Sequence, residues 1–232
     1  MNNAPSDATP FIPTHVVWDW NGTLKDDLDD HVNALNATLR ALGGPMVDRE
    51  TYRAELTGPS RAFYNRLLGR EVTEQEWTAG NAAFLAHLRA QPVRLRDGAV
   101  DMLTALHEAG LTQSLLAQCP SDTVMREAAD AGVARFFTRI DGHTALSDDA
   151  VVSPLTAHLE ALGLIGRGHR VLLIGDTVAD ADAAFTNRLF TVIFSGGHQH
   201  PDWPANAGFP VVDSLADAVG LGSWLVHYRH FP

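Results

Sequence analysis

Two groups of acidic residues stand where the chain could do chemistry. Asp19 follows Val16, Val17 and Trp18, and Asn21-Gly22 breaks the chain directly afterwards. The β-branched and aromatic run reads as a buried strand. The aspartate would then sit at a strand's C-terminal tip, where open α/β sheets bind ligands. Taken alone, the same residues also fit a hairpin with an Asn-Gly turn and a solvated aspartate. The second group lies far downstream. Val171-Leu172-Leu173-Ile174 is an uninterrupted apolar run, the pattern of a strand buried on both faces, and it ends in Gly175-Asp176-Thr177, with Asp180 and Asp182 close behind. A helix N-terminus favours aspartate through its dipole, which accounts for Asp180 but not for Asp176 directly after an apolar strand. Three carboxylates converging on one sheet edge repel one another unless a cation lies between them, and oxygen ligands of this kind suit Mg²⁺.

The two motifs together, DWNGTL at 19–24 and GDTVAD at 175–180, resemble the haloacid dehalogenase superfamily of aspartate-nucleophile hydrolases. The likeness runs from residue 14 to about residue 220, with the helical content of the phosphoglycolate-phosphatase-like branch. It implies that Asp19 attacks phosphorus and forms an aspartyl-phosphate. It also implies Mg²⁺ held by Asp19, Asp176, the backbone carbonyl of Asn21 and Asp180, with Gly22 and Thr23 beside the substrate phosphate.

Several positions depart from that pattern. The family places a second aspartate two residues after the nucleophile, to protonate the leaving oxygen; here the position holds Asn21. An amide cannot cycle a proton, so general acid–base help worth roughly 10²–10⁴ in rate is missing or comes from elsewhere. The family's Ser or Thr at the end of the next core strand is replaced by Ala117, followed by Gln118. Its later lysine falls near Val151, and Lys25, the only lysine in the chain, lies in the wrong region. Ser121, Thr123, Gln118, Arg139, His143 or Arg61 are conceivable substitutes. Two electrostatic donors lost together would slow phosphoryl transfer.

The elements that must position these residues are legible from periodicity. Leu28, Val32, Leu35, Leu39 and Leu42 recur at helical spacing and Gly43-Gly44-Pro45 stops them. Further helices are expected near 48–56 and 62–68, then from Thr73, paired with Glu76 as a capping box, to about 89. From Arg94 onward strands and helices alternate: strands at 112–117, 136–140, 170–174 and 189–194, helices at 97–109, 122–131, 153–162 and 214–226, and a loop at 195–210. Alternation of this kind argues a parallel sheet. The expected fold is therefore α/β, a Rossmann-like parallel sheet (14–27 and 92–232) with an inserted all-helical cap (28–91) and a disordered lead-in at 1–13.

Composition narrows the function classes. The balance of 17 basic against 28 acidic residues gives a net charge of −11, so nucleic acid is not an expected partner. A single cysteine excludes an internal disulfide. No stretch approaches the roughly 20 apolar residues of a membrane span, and the first thirteen lack a signal-peptide core, so the expected location is cytoplasmic. Cys119 and Arg126 miss the spacing of a cysteine phosphatase loop, which leaves a buried thiol. His198, His200 and Asp202 suggest a loop at the site entrance rather than a metal cluster. Trp18 is expected in the core and Trp20 in a nonpolar leaving-group pocket. The expected activity is Mg²⁺-dependent hydrolysis of a small phosphorylated metabolite, attenuated or atypical because the acid–base aspartate, the Ser/Thr and the lysine are missing, and with Asn21 best suited to acyl or aryl phosphates. The alternative is a non-catalytic relative that binds a ligand or a protein. Carbon–halogen cleavage fits poorly, because it needs no Mg²⁺ acid cluster.

Overall fold

The computed structural model describes residues 13–56, 60–143 and 153–228. Val16, Val17 and Trp18 have no solvent exposure, as consecutive residues of a strand covered on both faces should have. Strand β1 (His15–Trp18) pairs in parallel with β2 (Thr112–Ala117) on one side and β4 (Val171–Gly175) on the other. With β3 (Arg139–Gly142), β5 (Phe190–Phe194) and β6 (Val211–Val212) they form one parallel sheet in the order β3-β2-β1-β4-β5-β6. The order reverses direction between β1 and β4, so the crevice for a ligand opens at the carboxyl ends of these two strands.

Because side chains alternate across a strand, β1 feeds two cores. Val16 and Trp18 pack with Leu103, Leu115, Leu172 and Ile174, whereas Val17 packs with Leu155, Leu159, Val171 and Leu173 on the other face. Helices α5 (Ala99–Glu108), α6 (Ser121–Asp130), α7 (Pro154–Ala161), α8 (Val178–Thr186) and α10 (Leu215–Tyr228) belong to this sheet-bearing part.

Between β1 and α5 come α1 (Leu28–Ala41), α2 (Arg49–Glu55), α3 (Ser60–Leu68) and α4 (Glu74–Arg89). They bury their own cluster, built from Leu28, Val32, Leu35, Leu39, Tyr52, Phe63 and Tyr64. Thr73 caps α4 through the expected box with Glu76.

Three expectations are corrected. The strand expected at 136–140 starts three residues later, at Arg139, because Ala134–Phe136 makes a 3₁₀ turn that sends Phe136 into the core. The loop expected at 195–210 contains a short helix, α9 (Asp202–Asn206). Val211–Val212 adds a sixth strand, too short for a periodic signal. Among the described residues no helix is long and apolar enough to cross a membrane.

Candidate active site

The loop after β1 is folded by its own backbone. The Asp19 amide donates to the Ile174 carbonyl at 2.9 Å, tying the tip of β1 to that of β4. The Lys25 amide donates to Trp20 O at 2.8 Å and the Gly22 amide to Lys25 O at 3.1 Å, closing a tight turn. Gly22 is required there for two reasons. Its φ is +83°, and a Cβ would run into the Asp176 carboxylate. The same loop aims the Thr23 hydroxyl at Asp19 Oδ2, 2.9 Å away. Gly22 and Thr23 are thus buried struts of the site, not part of the cavity wall.

Asp19, Asp176 and Asp180 each offer a carboxylate oxygen within 4.8 Å of the others. Asp180 is also the N3 residue of α8 and shares a capping box with Thr177, whose hydroxyl donates to Asp180 Oδ2 at 2.6 Å. Asp176 Oδ2 accepts the backbone amide of His198 at 2.5 Å. Burial, followed by the charges of Asp180 and Asp176, pushes the Asp19 carboxyl well above its ordinary range. Burial and Asp180 push Asp176 up to about 6, against the opposing pull of His198. Burial likewise raises Asp180 despite the Thr177 hydrogen bonds. Three clustered carboxylates whose ionisation is disfavoured, Asp176 buried and Asp19 and Asp180 half-buried, offer hard oxygen donors that fit a divalent cation such as Mg²⁺.

A second buried cluster adjoins the first. Asp27 Oδ2 accepts the Asn21 side-chain amide at 2.7 Å, and Oδ1 accepts the Gly22 amide at 3.0 Å. His198 Nε2 lies 2.9 Å from Asp27 Oδ1, and the His31 and His198 rings are 4.2 Å apart. Burial would raise Asp27, but His31, His198 and Lys25 outweigh it and hold the carboxyl well below its usual range. Burial pulls His198 down, yet the pairing with Asp27 prevails and holds the imidazole above 6.5. His31 is pushed down to about 4 by burial, against the pull of Asp27. Sequence reasoning missed Asp27 and His31. Their only signal is an i, i+4 spacing, which is common on any helix.

A cavity of about 600 Å³ opens over the carboxylates, between the sheet edge and the four inserted helices, and Asp19, Asn21, Gln118 and Arg61 line it. Ala117 does not; it is fully buried in the core, since an inward-facing strand residue points away from the crevice. Trp20 is corrected as well. It is fully buried, and its indole donates to Glu127 Oε2 at 2.7 Å instead of shaping the pocket. Trp18 is in the core as expected. Lys25 Nζ meets both Glu127 oxygens at 3.0 and 2.9 Å and does not reach the cavity.

Of the conceivable substitutes for the missing donors, Gln118 and His143 line the cavity with Arg61. Arg139 pairs with Asp141, Ser121 bonds to Gly142, and Thr123 is buried. The Val151 position lies outside the described residues. Cys119 reaches the cavity wall, but burial and Glu127 push its thiol up to about 12, so it carries no thiolate at neutral pH. His198 and His200 diverge. The first is buried beside Asp27, the second pairs with exposed Asp202.

The profile of haloacid dehalogenase-like hydrolases matches residues 13–185. The chain belongs to this family. The chain is similar to an N-acetylmuramic acid 6-phosphate phosphatase from Pseudomonas aeruginosa, 28% identical over 85% of this chain and 88% of that one. It is also similar to a phosphoglycolate phosphatase from Vibrio parahaemolyticus, 27% identical over 87% and 92% of the two chains. A solved haloacid dehalogenase-like hydrolase from Streptococcus pneumoniae superposes with a TM-score of 0.75 at 18% identity, over 90% of this chain and 97% of that one, which shows a shared fold.

Proposed function

We propose that this chain is a Mg²⁺-dependent phosphatase of a small phosphorylated metabolite, working through an aspartyl-phosphate on Asp19. The observation that carries the reading is the all-oxygen triad of Asp19, Asp176 and Asp180 at the switch point of a parallel sheet, at the floor of a cavity of about 600 Å³. The names of the phosphatase relatives support it. Asp19, the Asn21 carbonyl, Asp176 and Asp180 would hold the ion. Bound there, Mg²⁺ supplies neutralisation of the nucleophile's neighbours and of phosphoryl charge. Residues 28–91 are proposed to act as a cap on a core formed by 14–27 and 92–232.

The chain's own groups have defined parts. Thr23 orients the Asp19 carboxylate through its hydroxyl. Gln118 and His143 are proposed to contact the phosphate oxygens, in place of the family's Ser/Thr and Lys. Asn21 is held by Asp27 with its amide nitrogen as donor, so it orients the loop and transfers no proton.

That same hydrogen bond favours the second reading, a cleft that binds without turnover, because the acid–base group is structurally replaced. The experiment measures turnover of para-nitrophenyl phosphate and acetyl phosphate with excess Mg²⁺, beside Asp19→Asn. Turnover that disappears in the variant supports the phosphatase. Equal, negligible rates, with a melting temperature that Mg²⁺ and beryllofluoride raise in the wild type only, support the binder.

A further inference from the structure

Helix α4 is sixteen residues long and buries none of them fully. Its inward face, apolar except for Asn81, nevertheless has the spacing of a packed helix. Trp77, Asn81, Phe84 and Leu85 follow at intervals of four, three and one, and all four line the cavity. A face of this kind, left open toward a cavity, is complementary to an apolar occupant. The surrounding wall is aromatic too. Tyr52 and Phe63 meet edge-on at 5.9 Å, Tyr64 and Trp77 at 5.9 Å, and Phe84 touches His31 at 5.6 Å.

The charge around this wall decides the chemistry of the occupant. Among the described residues Arg61 is the only arginine or lysine at the cavity, and it is engaged by Glu74 at 2.7 Å and by the Val72 carbonyl at 2.9 Å. His31 stands on the wall with its pKa pushed down to about 4, so it is neutral at physiological pH. A substrate with a second anionic group would bring it against Glu74 and the carboxylate triad, where the cationic groups among the described lining residues, Arg61 and His198, are already engaged by Glu74 and by Asp27. Asn81 is the neutral hydrogen-bonding group on this face.

We propose that the substrate class is a monophosphate ester of an uncharged aromatic-ring alcohol, with the ring seated against Trp77 and Phe84 of α4 and the phosphate at Asp19. This rests on the phosphatase reading and narrows it. It also accounts for Asn21. One Asp19 oxygen bonds to phosphorus as the phosphorus–oxygen bond to the ring breaks, and the electron pair stays on the phenolate oxygen. Delocalisation into the ring lets that oxygen leave without a proton. Water then attacks the phosphoryl group, and inorganic phosphate departs as Asp19 regains its carboxylate. The proton released from water ends on the phenolate in solvent.

The test compares 1-naphthyl phosphate and phenyl phosphate with acetyl phosphate, 2-phosphoglycolate and N-acetylmuramic acid 6-phosphate, all with excess Mg²⁺. kcat/KM for 1-naphthyl phosphate is expected at least about tenfold above both carboxylate-bearing substrates. In Phe84→Ala and Trp77→Leu, with unchanged circular dichroism, the loss should fall about tenfold more heavily on naphthyl phosphate than on acetyl phosphate, through KM. Turnover of acetyl phosphate with no aryl preference overturns this inference and leaves the phosphatase reading standing. No turnover of any substrate, with Mg²⁺-dependent binding of 1-naphthyl phosphate well above that of 2-phosphoglycolate by calorimetry, overturns the phosphatase reading and keeps the aromatic site. Equal affinities overturn both.

Discussion

Replacing Asp176 by asparagine asks whether the carboxylate triad stores electrostatic strain that a cation relieves. Burial and Asp180 hold Asp176 at about 6, against an ordinary 3.8. A carboxyl raised on folding binds more protons in the folded than in the unfolded state, so its contribution is complete below the unfolded value and is lost as pH rises through the folded one. The window is therefore 3.8 to about 6, and above it the ionised group is a full penalty. Over that window, at about 1.4 kcal/mol per pH unit, the penalty near neutrality is about 3 kcal/mol. The amide oxygen of the introduced asparagine would still accept the His198 amide, though less strongly than a charged carboxylate. The net gain for Asp176→Asn in chelator at about pH 8 is thus about 1–3 kcal/mol, or about 3–10 °C in melting temperature for a chain of this size. Melting curves with EDTA between about pH 4 and 8 give the assay, and the variant-minus-wild-type difference removes titrating groups remote from the triad while retaining the response of Asp19 and His198, which Asp176 also perturbs. The difference should shrink toward the acid end. With excess Mg²⁺ the order should reverse, since only the wild type keeps the full ligand set. A variant that melts below the wild type in EDTA at alkaline pH, or a difference independent of pH, would refute the reasoning.

Three other outcomes follow from the same geometry. Glu127→Ala leaves the buried Lys25 ammonium with only the longer 3.5 Å pairing to Asp27 and the Trp20 indole without its acceptor, and chemical denaturation should show a loss of about 3 kcal/mol. Gly22→Ala forces a side chain onto a backbone with φ of +83° and against the Asp176 carboxylate; Mg²⁺ should then no longer raise the melting temperature, while circular dichroism retains the α/β signature. Cys119, its thiol pushed up to about 12, should react with iodoacetamide far more slowly at about pH 8 than a free thiol does, and Cys119→Ser should retain turnover.

The sequence alone determined the parallel α/β pattern with four of the six strands close to their bounds, the four helices after β1 and the two acid-bearing strand tips. These depend on local quantities. A short apolar run such as 171–174, ended by Gly175, is too brief for a helix and reads as a buried strand, the Thr73 and Glu76 box starts a helix by satisfying its own amides, and glycine breaks follow directly from backbone freedom. The likeness of 19–24 and 175–180 to one family was legible for the same reason, since each motif is contiguous.

Tertiary structure decided what depends on contacts between distant residues. Trp20 and Ala117 have no local marker for the side of the sheet they face, and both went to the core. Asp27 and His198 are 171 positions apart, so only the folded chain brings them to 2.9 Å beside Asn21. Arg61 reads as a free cation in the sequence, but Glu74 and the Val72 carbonyl, 13 and 11 positions away, occupy it. The aromatic face of α4 has the spacing of core packing in the sequence. That it lines a cavity follows from where the four helices stop against the sheet edge, and periodicity carries no information about such a gap.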